Sequence, residues 1–118
     1  MKNSVTAHPE AVLHSICDVQ ALLEAEGFRC KIMVMSPLCY AALLKEDYNM
    51  NGKDSHVKRD VLDILKYGYL GTMWGSAIYP DRNRQSYEID AYGDSCVELQ
   101  LDHPDIWGEA QEIITQGD

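Results

Sequence analysis

Apolar residues recur at Val12, Ile16, Val19 and Leu23, a spacing that puts them on one face of a helix. Pro9 suits the first helical position. Gly27 suits a left-handed cap that folds Phe28 back near Leu23, so a helix is predicted over about residues 9–26. Residues 30–35 (CKIMVM) are a short apolar run of strand length and read as a buried strand. Ser36 and Pro37 then supply a cap and a first-turn proline, and Leu38, Tyr40, Ala41, Leu43 and Leu44 carry a helix to about Lys45. The polar stretch 46–55, with its Asn51-Gly52 turn dipeptide, reads as a loop.

Val57, Val61, Leu62, Ile64 and Leu65 return to helical spacing, with Asp54 or Ser55 as cap and Gly68 as stop. Residues 69–79 form an apolar, aromatic run in which glycines permit tight turns or close packing, and residues 80–84 read as a turn. Beyond them the period changes to two. Tyr87, Ile89 and Ala91 alternate with Glu88, Asp90 and Tyr92, and Val97, Leu99 and Leu101 alternate with Glu98, Gln100 and Asp102. With Gly93-Asp94 between them, these two runs predict a hairpin. Residues 102–116 predict a closing helix packed through Ile106, Trp107, Ala110, Ile113 and Ile114, which Gly108 weakens.

The elements add up to an α+β fold. The expectation is one compact domain over residues 1–118, with two to four helices packed on a small mixed sheet and an acidic hairpin near the C-terminus. A length of 118 residues sits near the commonest domain size, and no linker divides the chain. The composition, 46% hydrophobic and 25% charged, is that of an ordinary globular protein. No apolar run approaches the roughly 20 residues that a spanning helix needs, and the polar start is unlike a signal core, so neither membrane insertion nor export is expected.

Charge changes the picture because it is uneven. Residues 1–84 hold equal numbers of acids and bases, whereas residues 85–118 hold nine acids and no Lys or Arg, so the net charge of −9 belongs wholly to the last third. Such a field disfavours nucleic acid and attracts cations or a basic protein surface; its plainest reading is a solvated acidic face. Direct nucleic-acid binding is not expected, since Lys58-Arg59 and Arg82/Arg84 are isolated pairs.

No constellation of residues with the spacing of a reactive or metal site stands out in the chain. Cys17, Cys30, Cys39 and Cys96 lack the short paired spacing of a structural zinc site, as do His8, His14, His56 and His103; the cysteines read as reduced, mostly buried thiols. The stretch from Asp47 to Asp54 resembles a calcium loop until its twelfth position, Lys58, where a bidentate acid is needed. Cys39 and Ser36 lack a neighbouring base, and Ser36 is accounted for as a cap. The glycines 68, 71 and 75 fit neither nucleotide fingerprint, and Glu88 with Asp90 follows from strand alternation. The residues therefore assign no catalytic, cofactor-binding or metal-binding side chain, and no enzyme activity.

One resemblance adds to this. The order of helix, Gly27-Phe28, apolar strand and SPLCYAALL (36–44), followed by KYGYLGTMWGSAIY (66–79), is similar to segments of the major capsid proteins of tailed bacteriophages, the Hong Kong 97 type. It covers about residues 10–80. In that family the second phrase is a glycine-rich turn before an apolar strand. The resemblance implies a non-enzymatic structural protein that packs against copies of itself or other capsid proteins, in a virion assembled in the host cytoplasm. The family's subunits carry in addition an extended arm, a projecting loop and a long spine helix, so a truncated or stand-alone relative is implied. The alternative is a small acidic interaction module that binds a basic partner through its last third.

Overall fold

The computed structural model describes residues 2–93 and 97–115. The chain runs β1 (Lys2–Thr6), α1 (Val12–Ala25), β2 (Ile32–Met35), α2 (Pro37–Asn51), β3 (Val57–Lys58) and α3 (Val61–Tyr67). It continues through β4 (Gly71–Met73), β5 (Ser76–Pro80), β6 (Glu88–Tyr92), α4 (Val97–Asp102) and α5 (Pro104–Thr115). The strands form one mixed sheet in the order β1-β6-β2-β5-β4-β3, with β2 and β5 parallel and the other pairs antiparallel. The radius of gyration is 13.2 Å, close to the roughly 13.5 Å of a single compact domain of this length. The fold is α+β as expected, with five helices among the described residues rather than two to four.

Helices cover both faces of the sheet. On one face α1 and α2 pack on Met33, Met35, Ile78, Ile89 and Ala91. On the other, α3, α4 and α5 cover Ile32, Val34, Ala77, Tyr79 and Tyr92. The buried stripe of α1 is Val12, Leu13, Ile16, Val19 and Leu23, and each such side chain contributes about 1.5–3 kcal/mol by leaving water. Ile106, Ala110 and Ile114 of α5 are buried, with Trp107 and Ile113 packed beside them, and Gly108 faces open space.

Local signals are realised where they are self-contained. Ser36 caps α2 by accepting from Cys39 N at 3.0 Å, and its hydroxyl donates to Ser86 O at 2.7 Å. Gly27, at φ +83°, lets Phe28 N donate to Leu23 O at 2.9 Å. The ends of α1 and α2 depart from expectation through contacts between helices. Helix α1 begins at Val12 instead of Pro9, because its cap comes from α2: Glu46 Oε1 accepts from Leu13 N at 2.9 Å. Helix α2 runs on to Asn51, through more than half of the stretch read as a loop. There the buried Asp47 accepts from Asn51 Nδ2 at 2.9 Å, from His56 N at 3.1 Å and from the Ser55 hydroxyl, so the polar residues satisfy one another.

The segment 57–67 is also divided. Val57 and Lys58 pair with β4, and the helix starts at Val61, capped by Asp60, whose carboxylate accepts from Asp63 N at 3.2 Å, in place of a cap at Asp54 or Ser55. The run 69–79 is a tight hairpin, β4–β5, turning at Trp74 (φ +49°) and Gly75 (φ +84°).

The acidic hairpin does not form. β6 is a strand as predicted, but residues 97–102 are helical, and Asp94 of the predicted turn lies outside the described residues. The reason is the place of β6: β1 flanks it on one side and β2 on the other, which leaves no edge for a strand from 97–102. Strand β1, which the sequence did not announce, takes that position. Leu99 then packs under the sheet as a helical residue in the second core.

Candidate functional site

Because β6 alternates, Glu88, Asp90 and Tyr92 share the face turned toward α4 and α5. Asp90 stands opposite Ser4 of β1 and Val34 of β2, while Tyr92 stands opposite Lys2 and Ile32. Two further groups reach this row from outside the sheet. Arg84 comes from the 81–84 turn, which Asp81 pins by donating N–H to Met35 O at 2.9 Å and accepting from Arg84 N and Asn83 N at 3.1 Å each. His103 comes from the corner between α4 and α5, where its N–H donates to Leu99 O at 2.8 Å and its carbonyl accepts from Trp107 N at 2.9 Å.

The result is a buried polar centre. Asp90, 1% exposed, accepts from Ser4 Oγ at 2.7 Å, from Arg84 Nη2 at 2.8 Å and from His103 Nε2 at 3.5 Å. Burial alone would raise its pKa, but these donors outweigh it and hold the carboxyl well below the usual range. Arg84 also donates to Glu88 O at 3.2 Å and lies 3.6 Å from Asp81 Oδ2. Beside it, Asp102 Oδ2 accepts from Lys2 Nζ and from the Tyr92 hydroxyl, both at 2.8 Å. Lys2 holds the Asp102 carboxyl down, and burial with that hydrogen bond pushes the Tyr92 phenol well up. The His103 ring stands edge-on to Tyr92, with centroids 6.1 Å apart.

A cleft of about 670 Å³ opens next to this centre, between the 80–83 turn, Gly68 and the α4–α5 corner, with His103 and Asp102 in its wall. Its chemistry is that of a fastened joint. Asp90 is a fully engaged anion, so it neither delivers nor takes up a proton near neutral pH. The Ser4 hydroxyl donates to Asp90, whose depressed carboxyl makes it a weak base for activating a nucleophile. His103 is anchored through Nε2, and its hydrogen bond ties the helical corner to the sheet.

The other residues weighed from the sequence stand apart from one another. His8 Nδ1 accepts from Glu10 N at 3.1 Å, His14 lies 3.4 Å from Asp18 on exposed surface, and the His56 ring packs 5.6 Å from Trp74. Cys30 and Cys39 are buried and Cys17 is exposed, all as free thiols; Cys96 lies outside the described residues. Among the described residues no cluster of His, Cys, Asp or Glu is placed to hold a metal, and no helix is long and apolar enough to cross a membrane. Sequence reasoning placed Asp90 on a solvated acidic face; the structure buries it, because α4 and α5 cover that side of the sheet. The available signal was Tyr92, a large aromatic on the same strand face.

Two apolar features lie on the surface away from this centre. Val61, Leu62 and Leu65 of α3 are 67%, 77% and 77% exposed, and the helix has no buried residue. Ile64 and Tyr67 of the helix pack against the second core, and Val57 is buried on the strand before. On the opposite face of the sheet, a groove of about 740 Å³ runs between the outer side of α2, Pro9 and Tyr87.

Compared with protein families, curated proteins and solved structures, the chain matches none.

Proposed function

We propose that the protein is a non-enzymatic structural subunit that works by packing against copies of itself, and that it serves in a phage-type shell, as the similarity of residues 10–80 to capsid proteins implies. The observation that carries this reading is α3. Three large apolar side chains, each at least two-thirds exposed, stand together on one short helix. Grouped exposure of this kind marks a surface that is covered in use. The polar centre supports the same reading, since its charged groups bind one another and fasten the fold. Size-exclusion chromatography with light scattering over a range of concentrations tests the proposal. The expected result is a concentration-dependent rise above the monomer mass of 13.3 kDa. A strict monomer at high concentration, unable to join any shell, overturns it.

A second reading, an acidic module for a basic partner, draws on Asp105, Glu109 and Glu112. These acids recur along α5 at helical spacing and are all exposed. Asp90 and Asp102 no longer contribute to it, because Arg84 and Lys2 engage them. Binding of a polylysine probe that falls steeply with salt and is lost in Asp105→Asn/Glu112→Gln supports this reading; binding unchanged in that variant removes it.

A further inference from the structure

The apolar ridge on α3 and the groove along α2 lie on opposite faces of the sheet, so one molecule cannot bring them together. We propose that the ridge of one copy seats in the α2 groove of the next, which makes the self-association head-to-tail rather than two-fold. This rests on the reading of the protein as a self-packing subunit and specifies its contact.

Three observations support it. The first is shape. Three side chains on a convex helix offer roughly a few hundred Å² of apolar surface, whereas a stable interface needs about 800 Å² from each partner. A ridge laid on a second ridge falls short, while a groove touches it on several sides. The groove is made for this by composition: Ala41 and Ala42 form a low floor, and Leu38 and Met50, 52% and 69% exposed, add apolar side chains near its two ends. A helix presenting positions 61, 62 and 65 to such a floor is the helix-in-groove mode of recognition.

The second is charge. Arg59 and Lys66 accompany the ridge and face Glu10 of the groove, while Asp63 of the ridge has its opposite in Lys45. The third is that both surfaces are present on every copy at different places. A contact of that type leaves a free ridge at one end and a free groove at the other, so it propagates into rings or open chains.

The test uses two variants of the full chain. Leu62→Asp removes the ridge and Ala41→Trp plugs the groove; both positions are exposed, and unchanged circular dichroism and melting temperature confirm that each variant folds. Each alone should remain at the monomer mass under conditions where the wild type assembles. A one-to-one mixture should give twice that mass and stop there, since it retains one intact ridge and one intact groove. If both variants assemble like the wild type, the contact lies elsewhere and this inference fails while self-packing stands. If both are monomeric and the mixture stays monomeric, the contact is not head-to-tail and the inference fails. A monomeric wild type removes both proposals.

Discussion

Arg84 Nη2 lies 2.8 Å from Asp90 Oδ2, which joins the last base of the chain to a carboxylate that the fold has taken out of water. Lys2 likewise pairs with Asp102, at the surface, at 2.8 Å. Bases from the neutral part of the sequence thus reach acids of the last third. The charge boundary after residue 84 is not a boundary in the fold.

Arg84→Met should destabilise the protein by about 3–5 kcal/mol, because it leaves the Asp90 anion buried with only neutral donors and His103. That is a large share of the roughly 5–15 kcal/mol typical of a domain. Urea unfolding measures it, and Arg84→Met/Asp90→Leu should lose less than the two single changes combined. A loss under about 1 kcal/mol for Arg84→Met would class the pair with surface ion pairs.

Acid should unfold the protein through Asp90. Its carboxyl is depressed in the folded state and titrates at about 3.9 in the unfolded chain. The stabilisation is therefore complete above that value and is lost as pH falls below it, because the unfolded chain takes up the proton first. Asp47 and Asp102 are shifted the same way. Unfolding midpoints between about pH 5 and 2 should fall more gently for Asp90→Asn than for the wild type. Equal slopes would deny Asp90 its role.

Thiol labelling should separate the cysteines. Burial pushes Cys30 and Cys39 up to about 11, and both side chains are enclosed, whereas Cys17 lies on the outer side of α1. Iodoacetamide at neutral pH, read by peptide mass spectrometry, should modify Cys17 in the native protein and reach Cys30 and Cys39 only after denaturant is added. Early modification of Cys39 would contradict its place in the core.

Gly68→Ala should destabilise by about 1–2 kcal/mol from backbone strain alone, since Gly68 holds φ +76° at the end of α3. A Cβ there would also collide with the Glu109 carboxylate of α5. Adding Glu109→Ala should restore the part due to collision and leave the backbone part, a split that a double-mutant cycle in urea resolves. Full restoration would show that the left-handed conformation is not required.

How much of this was legible follows from the range of each interaction. Ser36-Pro37, Gly27-Phe28 and the stripe of α1 act within a few residues, so the sequence displays them directly. The start of α1 depends on Glu46, and the length of α2 on Ser55 and His56, partners that local pattern cannot name. Val97, Leu99 and Leu101 alternate as a strand would, yet over six residues one buried position, Leu99, suits a helix as well; β6, flanked by β1 and β2, had no free side to pair with them. The polar centre was hidden for the same reason. Asp90 looked like one acid among many until β1, α4 and the 81–84 turn closed around it.

The place of β1 also governs how the protein can be made. Ser4 bonds Asp90 across 86 residues of sequence, and β1 borders no other strand than β6. During synthesis the first strand leaves the ribosome early and must wait, at about 5–20 residues per second, until β6 has been translated. Until then β2 lacks its β6 neighbour, and the polar row has neither Arg84 nor Asp90. The sheet is therefore completed late, when β6 inserts between β2 and the much earlier β1.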